Sequence, residues 1–278
     1  MSIRAMHPSE ERLRRALADL AIDPATRPNP RRDGASSPTA GPAFRAKFVS
    51  FVRVFWVGRP SDSAVSGRSI ELRPTTKGSS LEGVGLSVSR HPGAWAFIAR
   101  LSGRVHDMRR RDGKRGRFLL APHRLEPAVV RWGSENDWCV PASQWKVPSY
   151  DGEEDVLRYM VFDSEEEAAA EWDASRDALD NDEGGVQRED SVAATPKLRR
   201  RLAHWFLGGA GQVTNSDAEI EVLNLYVAHH YPDLDGVWWD ERLDPQALSA
   251  PRGVILPHAL PRWHVVGESD LSEFDRDG

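Results

Sequence analysis

The sequence predicts an α+β fold, on three observations. Short runs of β-branched and aromatic residues lie at 48–57, 83–89, 156–162, 237–239 and 253–256, separated irregularly by segments of helical periodicity. Those segments carry their own start and stop signals, and no repeat of the strand–helix–strand kind runs through the chain. At 278 residues, 40% of them hydrophobic, there is enough apolar material for a substantial core.

Taken in order, Pro8 to Ile22 spaces Leu13, Leu17 and Leu20 as one amphipathic helix with Ser9 available as a cap. Asp23 to Gly41 is rich in Pro, Arg, Ser and Gly, so residues 1–43 read as a helix on a flexible arm. The folded part begins near Phe44, and FVSFVRVFWV (48–57) reads as one strand covered on both faces. Arg53 interrupts its apolar run, and either meets a buried acid or points into a site. A polar loop spans Arg59 to Glu82. Gly83 to Ser89 then forms a short strand, delivering Ser87 and Ser89 to a helix that His91-Pro92 opens and that buries Trp95, Ile98 and Ala99.

Six basic residues crowd Arg109 to Arg117 around Gly113 and Gly116, either as a solvated hairpin turn or as a contact for phosphate or an acidic partner. Val156 to Phe162 is a strand, and Ser164 with Glu167 caps a helix bearing Ala168, Trp172 and Leu179. Asn181 to Ala194 reads as an acidic break. A helix opening at Thr195-Pro196 carries Leu198, Leu202 and Trp205 and stops at Gly208 to Gly211. The last helix runs from Ser216, with Glu219 completing a cap, to about His230, with Ile220, Leu223 and Val227 as its stripe. Residues 44–265 form the domain and 266–278 an acidic tail.

A tryptophan strand, Val237 to Trp239, runs directly into Asp240, Glu241 and Asp244, and Gly253 to Leu256 follows as a further strand. Carboxylates at a strand end form either a solvated turn or, beside indole, a poised acid.

Net charge −5 and pI near 6.0 give no bulk attraction to nucleic acid or to an anionic membrane. One cysteine, Cys139, cannot form an internal disulfide, which fits a reducing, cytoplasmic setting. No apolar run approaches a membrane span, and the charged N-terminus lacks a secretory signal. Metal chemistry is not expected: there is no cysteine pair, and His229 and His230, about 100° apart on a helix, diverge. Gly208 to Gly211 follows a helix rather than a strand, so it does not cradle a dinucleotide, and neither a P-loop nor a GxSxG elbow occurs.

What remains is ordered: Arg53 in VRVFW, GLSVS before a helix, then DGVWWDE and SAPRGV. This order resembles the ADP-ribosyltransferase fold of the arginine–serine–glutamate type, bacterial toxins included, over Phe48 to Pro257. The resemblance implies a split β-sandwich with flanking helices that clamps NAD, as substrate, in a cleft. Arg53 would meet its pyrophosphate, Ser87 and Ser89 would support the nicotinamide ribose, and Trp95 or Trp56 would wall the nicotinamide. Glu241 would be the catalytic acid, with Asp240 and Asp244 as rivals. Trp239 stands where members that modify arginine carry a second acid, so another group on a protein or nucleic acid is the expected acceptor, with hydrolysis of NAD as a side reaction. A toxin or effector role follows, with an antitoxin or other partner on the N-terminal arm. The alternative is a non-catalytic interaction module using the N-terminal helix and a tryptophan-rich surface. A nucleic-acid role for Arg109 to Arg117 ranks behind both.

Overall fold

The computed structural model describes residues 46–58, 82–151, 156–175, 185–205, 213–244 and 248–274. The expected helix at 8–22 and arm at 23–41, most of the polar loop 59–82, Leu179 and Gly208 to Gly211 lie outside them. The compact unit is Ala46–Gly278. Among the described residues no helix is long and apolar enough to cross a membrane.

Eleven strands and five α-helices occupy the described residues, in a mixed α/β arrangement. In chain order these are β1 (Phe48–Phe51), β2 (Val54–Gly58), β3 (Leu86–Ser89), α1 (Pro92–Ile98), β4 (Arg104–Arg110) and β5 (Gly116–Leu120). Then come α2 (Pro127–Glu135), β6 (Cys139–Asp151), β7 (Val156–Phe162), α3 (Glu165–Ser175), β8 (Gln187–Ala194) and α4 (Pro196–Trp205). The chain closes with α5 (Asn215–His230), β9 (Gly236–Trp239), β10 (Arg252–Ile255) and β11 (Trp263–Asp270).

Eight strands form one sheet in the order β1-β5-β9-β10-β3-β2-β4-β11, and β7-β6-β8 form a second. Pairing is antiparallel except between β5 and β9. Phe55↔Ser89 is the one residue pair in the register of β2 with β3, so the large sheet consists of a five-stranded and a three-stranded part joined at that point. It also curls. Trp263 on β11 covers Gly116 on β5, where a Cβ would come within 2.4 Å of the indole.

Alternation along the strands divides the faces. One face gathers Val54, Trp56, Leu86, Val88, Met108, Phe118, Trp238 and Ile255 into the main core, with Trp263 across the curl. The other carries Ser87, Ser89 and Arg252, together with Phe55, Val57 and Val105, which pack with Ala96 of α1. Helix α5 packs on β9 of the large sheet and on β8 of the small one, with α2 and α3 against β6.

The curl is fastened at Asp235, which is fully buried one residue before β9. Its carboxylate accepts both bonds of Arg110 Nη1 (3.1 and 2.9 Å), the Arg117 amide (2.8 Å) and the Trp263 indole N–H (3.2 Å). One acid therefore ties together the end of β4 and the starts of β5, β9 and β11.

Several expectations need correction. The run 48–57 is two strands, because the chain bends at Val52–Arg53 and each half joins a different part of the sheet, and β1 is covered on one face rather than both. The basic stretch after β4 is not a β-hairpin: β4 pairs with β2 and β11, whereas β5 pairs with β1 and β9. Residues 187–194 of the acidic break form edge strand β8, and 266–270 belong to β11 rather than to a tail. Helix α5 is capped two residues earlier than expected, by Thr214 with Asp217 in a reciprocal capping box. Of the ten tryptophans, Trp56, Trp95, Trp205, Trp238 and Trp263 are buried and the other five are half-buried.

Replacing Asp235 with Ala leaves Arg110 without its buried partner and should cost about 3–5 kcal/mol in chemical denaturation. A loss below about 1 kcal/mol would show that the curl is held elsewhere.

Candidate functional site

Strand β10 lies between β3 and β9, with Arg252 in register with Ser89 on one side and Trp239 on the other. Arg252 is therefore delivered to the non-core face at the strand ends, where the carboxylates after β9 and the serines of β3 also emerge. Glycine at 253 lets this crossing close up, since a Cβ there would lie 2.4 Å from the Trp238 ring.

The guanidinium stands between two acids. Its Nε is 3.1 Å from Oε1 of Glu82, an ion-pair contact without the alignment of a hydrogen bond, and Nη1 is in close ion-pair contact with Glu241. Ser249 donates to the same Glu241 oxygen at 3.3 Å. The Trp95 ring centroid lies 5.4 Å from the guanidinium carbon, a cation–π distance. Ser87 completes the cluster, donating to Oε2 of Glu82 at 2.6 Å and accepting the Trp95 indole N–H at 3.2 Å.

Glu82 is buried, and burial pushes its carboxyl up to about 7. Arg252 and the Ser87 hydroxyl pull the other way, and the Glu241 charge adds to the rise. The unit thus holds one fixed cation, one half-exposed carboxylate and one buried carboxyl that changes charge near neutral pH.

Helix α5 holds Glu82 in place. Asn224 Nδ2 donates to the Glu82 carbonyl at 2.8 Å, and the Glu221 carboxylate accepts the Val84 amide at 2.7 Å. Arg201 on α4 donates to the other Glu221 oxygen at 2.7 Å. Gly83 lies between these clamps at φ +74°, where a Cβ would come within 2.5 Å of Asn224 Nδ2.

Of the residues singled out from sequence, Ser87, Trp95 and Glu241 come together here. Ser89 is fully buried, and its hydroxyl is used on backbone: it donates to the Pro251 carbonyl (2.7 Å) and accepts the His91 amide (3.0 Å). Asp240 is exposed, Asp244 forms a backbone bridge with Ser249, and Trp56 lies on the core face stacked against His106. Arg53 is not in the cluster. It is exposed before β2, 3.8 Å from Asp107 and over the Phe55 ring at 5.1 Å, so it meets a partly buried acid, on the same face as Arg252 and beyond β3. Glu82 and Arg252 were not singled out. A lone acid in a glycine-bearing loop carries no signal, although Arg252 falls in the quoted SAPRGV motif.

Among the described residues no group of three His, Cys, Asp or Glu side chains is placed to hold a metal ion. No protein-family model, no curated protein and no solved structure matches the chain.

An unfolded glutamic acid titrates near its ordinary 4.5, so the raised value of Glu82 favours the folded state in its neutral form. That stability is complete below the unfolded value and is lost as pH rises through about 7, a difference on the order of 3 kcal/mol. Glu82→Gln keeps an acceptor for Ser87 and stays neutral. In urea titrations the wild type should therefore lose more stability than the variant between about pH 5 and about pH 8, and parallel losses would contradict the assignment.

Proposed function

We propose that the chain cleaves the nicotinamide–ribose bond of NAD and transfers ADP-ribose to a macromolecular acceptor, as an ADP-ribosyltransferase of the arginine–serine–glutamate type. The observation that carries this reading is the meeting of the serine strand with the carboxylate that follows β9: Ser87 and Glu241 both belong to the Arg252 cluster, with Trp95 against it. A large sheet joined by one residue pair between β2 and β3 is in keeping with a split β-sandwich around an extended dinucleotide.

In this reading Glu241 places its negative charge beside the anomeric carbon as cationic character develops there. Ser87, held between Glu82 and Trp95, fixes the ribose. Arg252, with Arg53 further along the same face, faces the pyrophosphate, where a planar guanidinium binds two oxygens at once. The C–N bond breaks with its electron pair passing to the nicotinamide ring, which leaves neutral. The acceptor's nucleophile then bonds to the anomeric carbon and releases its proton. A glycosidase protonates an oxygen leaving group with a second carboxyl, and departure from an already cationic ring has no such need.

The test is release of free nicotinamide from NAD by purified protein, with and without cell lysate as a source of acceptor. Glu241→Gln should lower release by about a hundredfold or more with the unfolding midpoint unchanged, and Asp240→Asn should leave it near wild type. Absence of release from folded wild-type protein, or loss on Asp240→Asn with Glu241→Gln active, would overturn the assignment.

A further inference from the structure

We infer that the surface running from the β4–β5 turn to the C-terminal end of α5 binds single-stranded nucleic acid; this does not rest on the NAD reading. Four cations, Arg111, Lys114, Arg115 and Arg117, are exposed within seven residues, in a chain whose overall charge is −5. The one acid of that stretch is already engaged. Asp112 pairs with Arg110 at 2.7 Å and accepts the Lys114 amide at 3.1 Å, so this single carboxylate shapes the turn and leaves the four cations in excess. Arg110 is in turn anchored on buried Asp235, which makes the turn a rigid projection of the curled sheet.

Charge alone would suit any polyanion, but these cations continue into a chain of rings. The Arg117 guanidinium carbon lies 5.9 Å from the Phe48 ring centroid, and Phe48 meets Tyr231 edge-on at 5.9 Å. Tyr231 is 6.3 Å from Tyr226, which in turn contacts Trp132 at 5.6 Å and His230 at 4.3 Å. Phe48 is 44% exposed and His230 is exposed, while the other rings are half-buried. Cations that take phosphates beside rings that take base faces are the two components single strands require. A duplex keeps its bases stacked internally and would use the cations without the rings, as would an acidic protein surface.

The probe is a fluorescently labelled oligothymidine followed by anisotropy across a salt series. Wild-type protein should bind it with a log–log salt slope of about −2 to −3, as expected for four cations at about 0.7 per phosphate. The double variant Lys114→Ala and Arg115→Ala should make that slope shallower by about 1.4. Phe48→Ala, and Phe48→Leu as the version that keeps an apolar contact with Tyr231, should weaken binding about fivefold or more with the slope unchanged, circular dichroism confirming fold. Absence of binding at low salt, a duplex of equal length binding as tightly, polyglutamate binding as tightly, or full affinity in both folded Phe48 variants would each overturn the inference.

Discussion

A buried carboxyl set against a guanidinium is the constraint from which the rest of the site follows. Glu82 has been taken out of water, and an ionised carboxylate there is costly unless a partner faces it. Arg252 is that partner, and its own charge is shared with Glu241 nearer the surface. Removing either side of such a pair leaves an uncompensated polar group behind, so strand β10, the loop before β3 and the turn after β9 are fixed in position together. Trp95 and Ser87 fill the remaining directions around the pair, one through its ring face and indole N–H, the other through a hydroxyl that both donates and accepts.

The scaffold supports that pair from behind. Helix α5 carries Glu221 and Asn224 on a buried face that otherwise holds Val222, Leu223 and Val227, and both polar groups are used to hold the backbone at Glu82 to Val84. Arg201 closes the charge of Glu221. Asp235, one residue before β9, collects donors from the ends of three other strands, β4, β5 and β11, and keeps the curl closed. Glu221 and Asp235 follow one rule: each is a buried acid both of whose oxygens find a donor.

Much of the local structure was legible in the sequence. Proline at a first helical position marked α1 and α4, leucine spacing marked the buried side of α4, and the apolar runs marked β3, β7, β9 and β10. Ser87, Trp95 and Glu241 were chosen on the resemblance and do meet, whereas Arg53, Ser89 and Asp240, chosen on it too, do not join them. What stayed hidden depends on pairing between distant residues. Strand β6 contains Pro141 and Pro148, which argue against a strand between two neighbours, and β8 opens with Arg188, Glu189 and Asp190, of which Glu189 is matched by Lys146 and Arg124, partners that sequence spacing cannot reveal. The bend at Val52–Arg53 looked like continuous strand because aromatic and β-branched residues flank Arg53 on both sides; only the sheet order separates its halves. Glu82 and Arg252 escaped notice because an acid and an arginine 170 positions apart announce nothing until β3 and β10 pair.

The account turns on whether Glu82 and Arg252 act as one unit, which a double-mutant cycle in chemical denaturation at neutral pH measures directly. Glu82→Gln and Arg252→Met are made singly and together. If the pair organises the site, Arg252→Met alone is strongly destabilising and the double variant recovers much of the loss, giving a coupling energy of about 2 kcal/mol or more. Effects that add to within about 0.5 kcal/mol would mean that the two groups are independent, and would contradict the account.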